Sequence, residues 1–343
     1  MTVDLTTRYL GLTLAHPLMP GASPLVDDLG TVRRLEDAGA AAIVMHSLFE
    51  EQLGSEQMAA HHLLDGPGEA HAEAVNYFPS TPEFTLGPNA YLEQLRRIRE
   101  AVAVPVIASL NGTSLGGWVE YAGLMEQAGA HAVELNLYQL PSDPAVDAGA
   151  VEAQQLEVVR AVCKAASIPI AVKLSPFYSA LPAFVRALGE AGAAGVVVFN
   201  RLYEPDIDPE ALDLDRRLEL SQPSELLMRL RWLAILSARA DEGLSLGATG
   251  GVHGPRDALK AVMAGAHGVQ MVSALLRHGP GHLRTAIEGL RSWLDEHGYT
   301  SIEEARGSMN DARAPDPSAY ERVNYLHLLS SWHGTSTHHR SGS

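Results

Sequence analysis

The sequence lacks the features expected of a secreted or membrane protein. It contains a single cysteine, Cys163, which excludes an internal disulfide and an iron–sulfur cluster held by this chain alone. No run of about 18 apolar residues occurs, so no transmembrane helix is expected. Residues Met1–Tyr9 do not show the basic-then-apolar order of a signal peptide. We therefore expect a cytoplasmic protein.

Positive charge is also scarce. The chain has 25 lysines and arginines against 41 aspartates and glutamates, a formal net charge of -16. This balance disfavours nucleic acids and anionic membranes as partners, although a local arrangement of groups can still bind a small anion. With 343 residues, 46% of them hydrophobic, the chain can form one large barrel with insertions. We predict a single domain over 1–330 and a flexible tail over 331–343.

Four copies of the motif Ala-Gly-Ala lie between an amphipathic run and an apolar run. Glycine suits the residue after a helix because that residue often needs a positive φ. The repeated order of helix and buried strand predicts parallel strands covered by helices, a (β/α)8 TIM barrel. The four copies are Ala38-Gly39-Ala40, Ala128-Gly129-Ala130, Ala191-Gly192-Ala193 and Ala264-Gly265-Ala266.

The apolar runs predict eight parallel strands. They cover Ala42–Met45, Ala72–Val75, Val104–Leu110, Ala132–Leu135, Ile168–Leu174, Gly195–Phe199, Leu244–Ala248 and Gly268–Val272. Before them, Tyr9–Leu14 and Pro17–Met19 predict a short hairpin that closes the bottom of the barrel. The long segments Glu50–Phe84 and Arg201–Ala240 are expected on the catalytic side, as substrate lids or subunit contacts.

Polar residues follow nearly every predicted strand. Each could be a turn former on its own, but the set predicts a ligand site at the carboxyl ends of the strands. Lys173 is the most specific member, because a lysine between apolar runs needs an anion or a polarised ring. The alternative is a surface lysine whose head reaches water. The set comprises His46, Ser47, Asn76, Asn111, Asn136, Lys173, Asn200, Thr249 and Ser273.

The turn Ala248–Pro255 contains Gly250 and Gly251 and leads from a strand into a helix. Glycines let backbone N–H groups approach a phosphate closely, and Val272-Ser273 after the next strand could add further donors. Loops after strands seven and eight bind phosphate in many such barrels. The alternative is that the two glycines serve only a tight turn.

From about Leu10 to about Gly289 the chain resembles the dihydroorotate dehydrogenases. These are flavoprotein barrels of pyrimidine biosynthesis that oxidise dihydroorotate to orotate on FMN. The matching segments are Pro17–Ser23, Val133–Leu137, Val172–Pro176, Val198–Asn200, Gly247–Val252, Val269–Leu275 and Gly279-Pro280. The resemblance implies an FMN-binding oxidoreductase that acts on a small molecule.

The resemblance also implies a role for particular residues. Lys173 would stabilise negative charge at the N1/O2 edge of the flavin. Asn136 and Asn200 would contact both flavin and substrate, and Asn76 would contact orotate. The flavin ring would lie against Ala22 and Ser23, and the FMN phosphate would be held by Gly250, Gly251, Val272 and Ser273.

The chain departs from the family where substrate would bind. Gln139 stands near the position of the family's Cys or Ser base, and an amide is not a useful base near pH 7. Met45-His46-Ser47 stands where soluble members carry a lysine, and Ser221–Ser224 replaces a pair of glycines.

Other residues could take the role of the base. Tyr138, Ser142 and Asp143 lie on the same loop as Gln139, and His46 follows the first predicted strand. Cys163 falls in a predicted helix among valines, so we expect a small buried hydrophobic residue there.

Three functions remain open from the sequence. The first is an FMN-dependent oxidoreductase for dihydroorotate or another small substrate, with fumarate, ferredoxin or a partner subunit as acceptor. The second is a flavin-binding relative that serves as a subunit or regulatory module. The third is a flavin-free isomerase or lyase that holds a phosphorylated substrate at the phosphate site, with Lys173 as a Schiff-base or anion-binding residue. A homodimer is implied by the resemblance. No metal site is predicted from the histidines His61, His62, His71 and His131.

Overall fold

The structure is a computed structural model that describes residues 3–49, 88–112, 114–201, 204–215, 217, 219–239, 243–322 and 324–330. Twelve strands lie in these ranges, and eight of them form one parallel sheet in the order β3-β12-β11-β8-β7-β6-β5-β4. The strands are β1 Thr7–Tyr9, β2 Leu12–Leu14, β3 Leu18–Pro20, β4 Ile43–Phe49, β5 Val106–Asn111, β6 Ala132–Asn136, β7 Ile170–Leu174, β8 Gly195–Val198, β9 Asp206–Asp208, β10 Asp213–Asp215, β11 Ser245–Thr249 and β12 Gly268–Met271.

The eight-stranded sheet curves round as a (β/α)8 TIM barrel, which confirms the predicted fold class. The two end strands, β3 and β4, come together where the Ala41 N–H donates to the Leu18 carbonyl at 3.2 Å. All neighbouring strands of the sheet are parallel. Their carboxyl ends therefore meet at one mouth, where barrels of this type bind their ligands.

Seven of the eight predicted strands are confirmed, with ends that move by a few residues. The prediction for Pro17–Met19 was wrong: Leu18–Pro20 is the first strand of the barrel and pairs with β12, with Leu18 opposite Val269. The hairpin consists of β1 and β2 alone. The strand Leu18–Pro20 is too short to show a periodic pattern, and its partner strand β12 lies about 250 positions further along the chain. The predicted strand Ala72–Val75 lies outside the described residues.

Helices cover the outside of the barrel. They are α1 Leu29–Asp37, α2 Pro88–Ala101, α3 Leu115–Gln127, α4 Ala148–Ala165, α5 Leu181–Glu190, α6 Leu226–Ser237, α7 Pro255–Ala264, α8 Ser273–His278, α9 His282–Glu296, α10 Ile302–Ala305 and α11 Asn324–Ser330. None of the helices in the described ranges combines the length and the apolarity of a transmembrane span.

The predicted glycine caps are confirmed at all four Ala-Gly-Ala sites. Their φ angles are +96° at Gly39, +95° at Gly129, +103° at Gly192 and +121° at Gly265. At the first site the Ala40 N–H donates to Leu35 at 3.0 Å and the Gly39 N–H donates to Glu36 at 2.8 Å. These are the two bonds of a Schellman motif, which satisfies the last carbonyls of the helix and turns the chain into the next strand.

The interior of the barrel is closed at the amino-terminal end by the β1–β2 hairpin. Tyr9, Leu10 and Leu14 are buried there against inward-facing residues such as Ile107 and Val197. A side chain at Gly247 would bring its Cβ to 2.8 Å from Tyr9 Oη, so the strand leaves room for the tyrosine ring. Burying one such large apolar side chain contributes about 1.5–3 kcal/mol. The amino-terminal end of the barrel is therefore filled by apolar side chains, and the polar side chains described below lie toward the mouth.

Candidate functional site

Polar side chains from four successive strands form an arc at the mouth. Asn136 Nδ2 donates to Ser47 Oγ at 3.0 Å, to Ser109 Oγ at 2.8 Å and to the Leu110 carbonyl at 3.1 Å. The two serine hydroxyls lie 2.9 Å apart, and Lys173 is opposite Asn136 in the sheet register. Ser47, Ser109, Asn136 and Lys173 are called the polar arc below. The sequence predicted three of these residues, and Ser109 was missed.

A buried carboxylate lies below the polar arc. Glu134 Oε1 accepts from Lys173 Nζ at 3.1 Å, and Glu134 Oε2 accepts from Gln270 Nε2 at 2.6 Å. Glu134 is 1% exposed and Lys173 is 7% exposed, so the surface-lysine alternative is wrong. Sequence reasoning also missed Glu134. The available signal was its spacing of two residues from Asn136, which puts both on the same face of a strand.

The glycine turn after β11 has no room for side chains. Gly250 has a φ of +87° and Gly251 a φ of +77°. A Cβ on Gly250 would lie 2.8 Å from Arg229 Nη2, and a Cβ on Gly251 would overlap the backbone nitrogen of Leu226. Arg229 is itself buried and donates to the Thr249 carbonyl at 3.0 Å. Both glycines are therefore required by conformation and by packing, and the turn exposes backbone in place of side chains.

Hydroxyl groups converge beside this turn. Ser221 Oγ donates to Ser273 Oγ at 2.8 Å and accepts from the Gly251 N–H at 3.4 Å. His253 Nε2 lies 3.4 Å from Ser221 Oγ, and burial together with the Arg277 guanidinium lowers the pKa of His253. Ser273 was predicted at the phosphate site. Ser221 was interpreted only as part of the segment that replaces a pair of glycines of the family. Ser273 begins α8, and Val272 directly precedes it.

Two buried polar atoms at the mouth have no partner among the described residues. They are Ser23 Oγ, just after β3, and Gln270 Oε1 on β12. Ser23 is 5% exposed, and Ala22 beside it packs against the inner core. A buried polar atom without a partner is costly, so both atoms mark a place where a bound group could supply the missing hydrogen bonds.

Asn200 lies at the edge of the polar arc. Its Nδ2 is 3.4 Å from the Lys173 carbonyl. It also lines a cavity of about 360 Å³ between the segments that follow β7 and β8, where Arg201 Nε lies 3.4 Å from Glu225 Oε2. The cavity is lined by Pro176, Phe177, Asn200, Arg201, Glu204, Ser224, Glu225, Met228 and Arg229.

The proposed substitute bases are not gathered at the polar arc. His46 Nδ1 lies 2.7 Å from Asp27 Oδ1, and its ring meets the edge of Tyr91. Tyr138 is 37% exposed and Gln139 is also exposed. Asp143 Oδ1 accepts from the Ala145 N–H at 2.8 Å and so stabilises its own turn. The segment after β6 thus holds no buried base close to Lys173.

Other predicted residues have structural positions or lie outside the described ranges. Cys163 is half-buried on α4, where burial raises the pKa of its thiol to about 11. His131 Nδ1 accepts from the Val106 N–H at 3.0 Å. Within the part of the chain that the structure describes, no three His, Cys, Asp or Glu side chains are grouped to hold a metal ion. The residues outside the described ranges are His61, His62, His71 and Asn76.

Comparison with known proteins finds a family model and several relatives that are similar in sequence. Residues 85–294 match the family model described as dihydroorotate dehydrogenase. The chain is 27% identical to the catalytic subunit of dihydroorotate dehydrogenase B (NAD(+)) of Thermoplasma volcanium, over 89% of this chain and 98% of the relative. It is 30% identical to the corresponding subunit of a Geobacter species, over 65% and 74%.

A third relative has a different name. The chain is 21% identical to the chloroplastic dihydropyrimidine dehydrogenase (NADP(+)) of Arabidopsis thaliana, over 89% of this chain and 76% of the relative. The family model covers more than half of the chain, and it spans β5 to β12 together with the glycine turn. The chain is a member of the dihydroorotate dehydrogenase family.

Proposed function

We propose that this protein is an FMN-dependent oxidoreductase that acts on a CH–CH bond of a small ring substrate. The observation that carries the proposal is the turn at Gly250 and Gly251, where positive φ angles and neighbouring atoms exclude side chains. The Ser221 hydroxyl accepts from the Gly251 N–H and donates to the Ser273 hydroxyl. Backbone and hydroxyl donors in such a turn suit a phosphate group.

The other groups at the mouth fit the remainder of FMN. Lys173 has three N–H donors, and the described residues use only one of them, on Glu134. Two donors are thus left for the N1/O2 edge of a flavin. Ser23 Oγ and Gln270 Oε1 have no hydrogen-bond partner in the described ranges, and a polar ring could supply one to each. Val272 would hold the phosphate through its backbone, while Ala22, Asn136 and Asn200 would line the ring or its substrate.

Bound FMN would supply the acceptor for a hydride from the substrate. The residues of this chain would hold the cofactor and orient the substrate. Glu134 fixes the Lys173 ammonium in a buried position, where a charge acts more strongly than in water. Asn136 is held by Ser47, Ser109 and the Leu110 carbonyl, so its amide cannot rotate freely. A held amide orients a substrate without reorganising when the substrate binds.

A second function is favoured by one observation. Gln139 occupies the position of the family's base, and it lies on an exposed segment with no buried base near Lys173. Proton removal by a positioned base contributes typically 10²–10⁴-fold to a rate. A chain without it could bind FMN and serve as a subunit or regulatory module. Tyr138 stands beside Gln139 on that segment, and a phenol is a weak base near neutral pH.

The visible spectrum of the FMN-loaded protein, recorded anaerobically before and after dihydroorotate is added, tests the proposal. We expect the protein to retain flavin. Bleaching at about 1 per second or faster, the pace of ordinary enzymes, would establish dihydroorotate oxidation. A flavin that stays oxidised would favour another substrate or the non-catalytic role. If no flavin is retained, the cofactor proposal fails and a phosphate-binding isomerase or lyase becomes the better explanation.

The physiological context is also part of the proposal. The B-type relatives are named as NAD(+)-linked catalytic subunits, which favours a partner subunit as electron acceptor, with fumarate or ferredoxin as alternatives. Pyrimidine biosynthesis would be the pathway if dihydroorotate is the substrate. Size-exclusion chromatography with light scattering tests the predicted homodimer.

A further inference from the structure

The charge at the mouth is the feature that narrows the choice of substrate. Dihydroorotate and orotate carry a carboxylate on a cyclic amide ring. A carboxylate in a partly buried site needs a positive charge that is not already neutralised. The chain contains only three lysines, Lys164, Lys173 and Lys260. Lys173 is the one at the polar arc, and its ammonium lies 3.1 Å from the buried carboxylate of Glu134.

Two arginines near the mouth, Arg201 and Arg229, are also paired. Arg201 Nε lies 3.4 Å from Glu225 Oε2, and Arg229 Nη2 lies 3.9 Å from the same oxygen. Arg229 is additionally committed to the Thr249 carbonyl behind the glycine turn. Residues 50–87 contain no lysine or arginine and seven acidic residues, so this long segment adds no permanent positive charge anywhere. In the described part of the mouth, Lys173, Arg201 and Arg229 each have a carboxylate beside them. Arg277 lies at the phosphate end, beside the glycine turn, where it donates to the Leu220 carbonyl at 3.4 Å.

The neutral groups of the polar arc also favour an uncharged ligand over a carboxylate. The Leu110 carbonyl can only accept, so its contact at 3.1 Å fixes Nδ2 of Asn136 on that side. Every hydrogen bond that the described residues make with this side chain uses Nδ2. The oxygen Oδ1 is left as an acceptor. It would attract a ring N–H and repel a carboxylate.

We propose that the ligand at the polar arc is an uncharged cyclic amide or imide, a pyrimidine-type ring without a carboxylate. Met45-His46-Ser47 stands where the resemblance puts a lysine of the soluble members, and Ser47 supplies a half-buried hydroxyl to the polar arc in place of a cation. The inference rests on the proposed function for the identity of the site, and it concerns the charge of the ligand and not the rate of any reaction.

Binding of three rings to the FMN-loaded protein tests this inference. Uracil and orotate share one ring and differ by the carboxylate, and thymine serves as a second neutral ring. Flavin difference spectra and calorimetry report binding without turnover. We expect uracil or thymine to bind at least about tenfold more tightly than orotate, the effect of one unpaired charge. Orotate binding as tightly as the neutral rings, or no ring binding at all, would overturn the inference.

A designed variant sharpens the test. Ser47→Lys adds the missing cation and is expected to improve orotate binding about tenfold relative to uracil. Ser292→Lys on the exposed side of α9 adds the same charge away from the mouth, and it should leave the ratio unchanged. An unchanged ratio in folded Ser47→Lys would count against the inference. If that variant does not fold, the ratio in the unmodified protein decides.

The inference and the proposed function fail in different ways. Loss of the proposed function would appear as a protein that retains no flavin. Calorimetry with uracil and orotate would then still measure the preference of the mouth for a neutral ring. A flavin-loaded protein that prefers orotate would retain the proposed function and refute the neutral ligand.

Discussion

The two ends of the barrel use polar residues in opposite ways. At the amino-terminal end, His131 and His267 each follow an Ala-Gly-Ala cap, and each accepts a backbone N–H of the neighbouring strand through Nδ1 at 3.0 Å. His16 accepts the Leu18 N–H at 3.2 Å in the same way. Near the mouth, Ser23 and Gln270 have buried atoms that find no partner among the described residues. Satisfied polar groups hold a fold together, whereas buried polar atoms without a partner are costly. The ligand proposed at the mouth would supply partners for Ser23 and Gln270.

The histidines at the closed end must stay neutral to make these contacts. Burial lowers the pKa of His16, His131 and His267, and for His267 the value is about 4. A protonated Nδ1 could not accept the strand N–H. In contrast, the mouth buries an ion pair, Lys173 with Glu134. Acid should therefore destabilise the closed end of the barrel, because the histidines become protonated. At the mouth, removal of one charge of the ion pair should lower the free energy of unfolding.

The largest effect is expected from Glu134→Gln. This change leaves the Lys173 ammonium buried without its counter-charge, and we expect the free energy of unfolding to fall by about 3–5 kcal/mol. Urea unfolding measures it. The control Glu190→Gln breaks an exposed pair with Arg186 at 3.7 Å and should cost about 0.5 kcal/mol or less. If both variants lose equally little stability, the ion pair does not support the mouth.

A smaller effect is expected from pH at the closed end. The ordinary pKa of histidine is 6.5 and that of His267 in the fold is about 4, so the unfolded chain binds the proton more readily. The contribution of His267 is complete above pH 6.5, falls as the pH drops toward 4, and is lost below that. It amounts to about 3 kcal/mol at most.

His267→Gln should remove this part of the pH dependence. His297→Gln, at an exposed helix end, should leave it in place. Unfolding midpoints between pH 4 and 7 measure both variants, and identical slopes for the two would refute the assignment.

The smallest effect is expected from Gly251→Ala, and it should fall on the cofactor. An alanine there combines a strained positive φ with overlap of the Leu226 backbone. A strain of about 2 kcal/mol would weaken FMN binding about 30-fold, measured by quenching of flavin fluorescence. Gly254→Ala lies in the same turn, where a Cβ meets nothing within 4 Å. The Gly254→Ala variant should bind FMN normally. Equal losses of FMN affinity in both variants would contradict phosphate binding at the glycine turn.

The sequence by itself determined the features that depend on neighbouring residues. Each Ala-Gly-Ala cap was readable because a helix C-terminus needs positive φ at one defined position. The burial of Lys173 followed from the apolar residues on both sides of it. Seven strands were readable as apolar runs, and the double glycine after β11 predicted a turn between strand and helix. The phosphate site at that turn stays a prediction. These signals lie within ten residues of the feature they describe.

Only the tertiary structure decided which distant residues meet. Leu18–Pro20 became a barrel strand through pairing with β12, a contact that no local pattern reports. Glu134 joined Lys173 and Gln270 because three separate strands point side chains into one interior. His46 followed a strand as predicted and yet faces Asp27 and Tyr91, because the register shifts between Val44 and Ser47. Inward or outward direction depends on strand register, and register is set by the closed barrel.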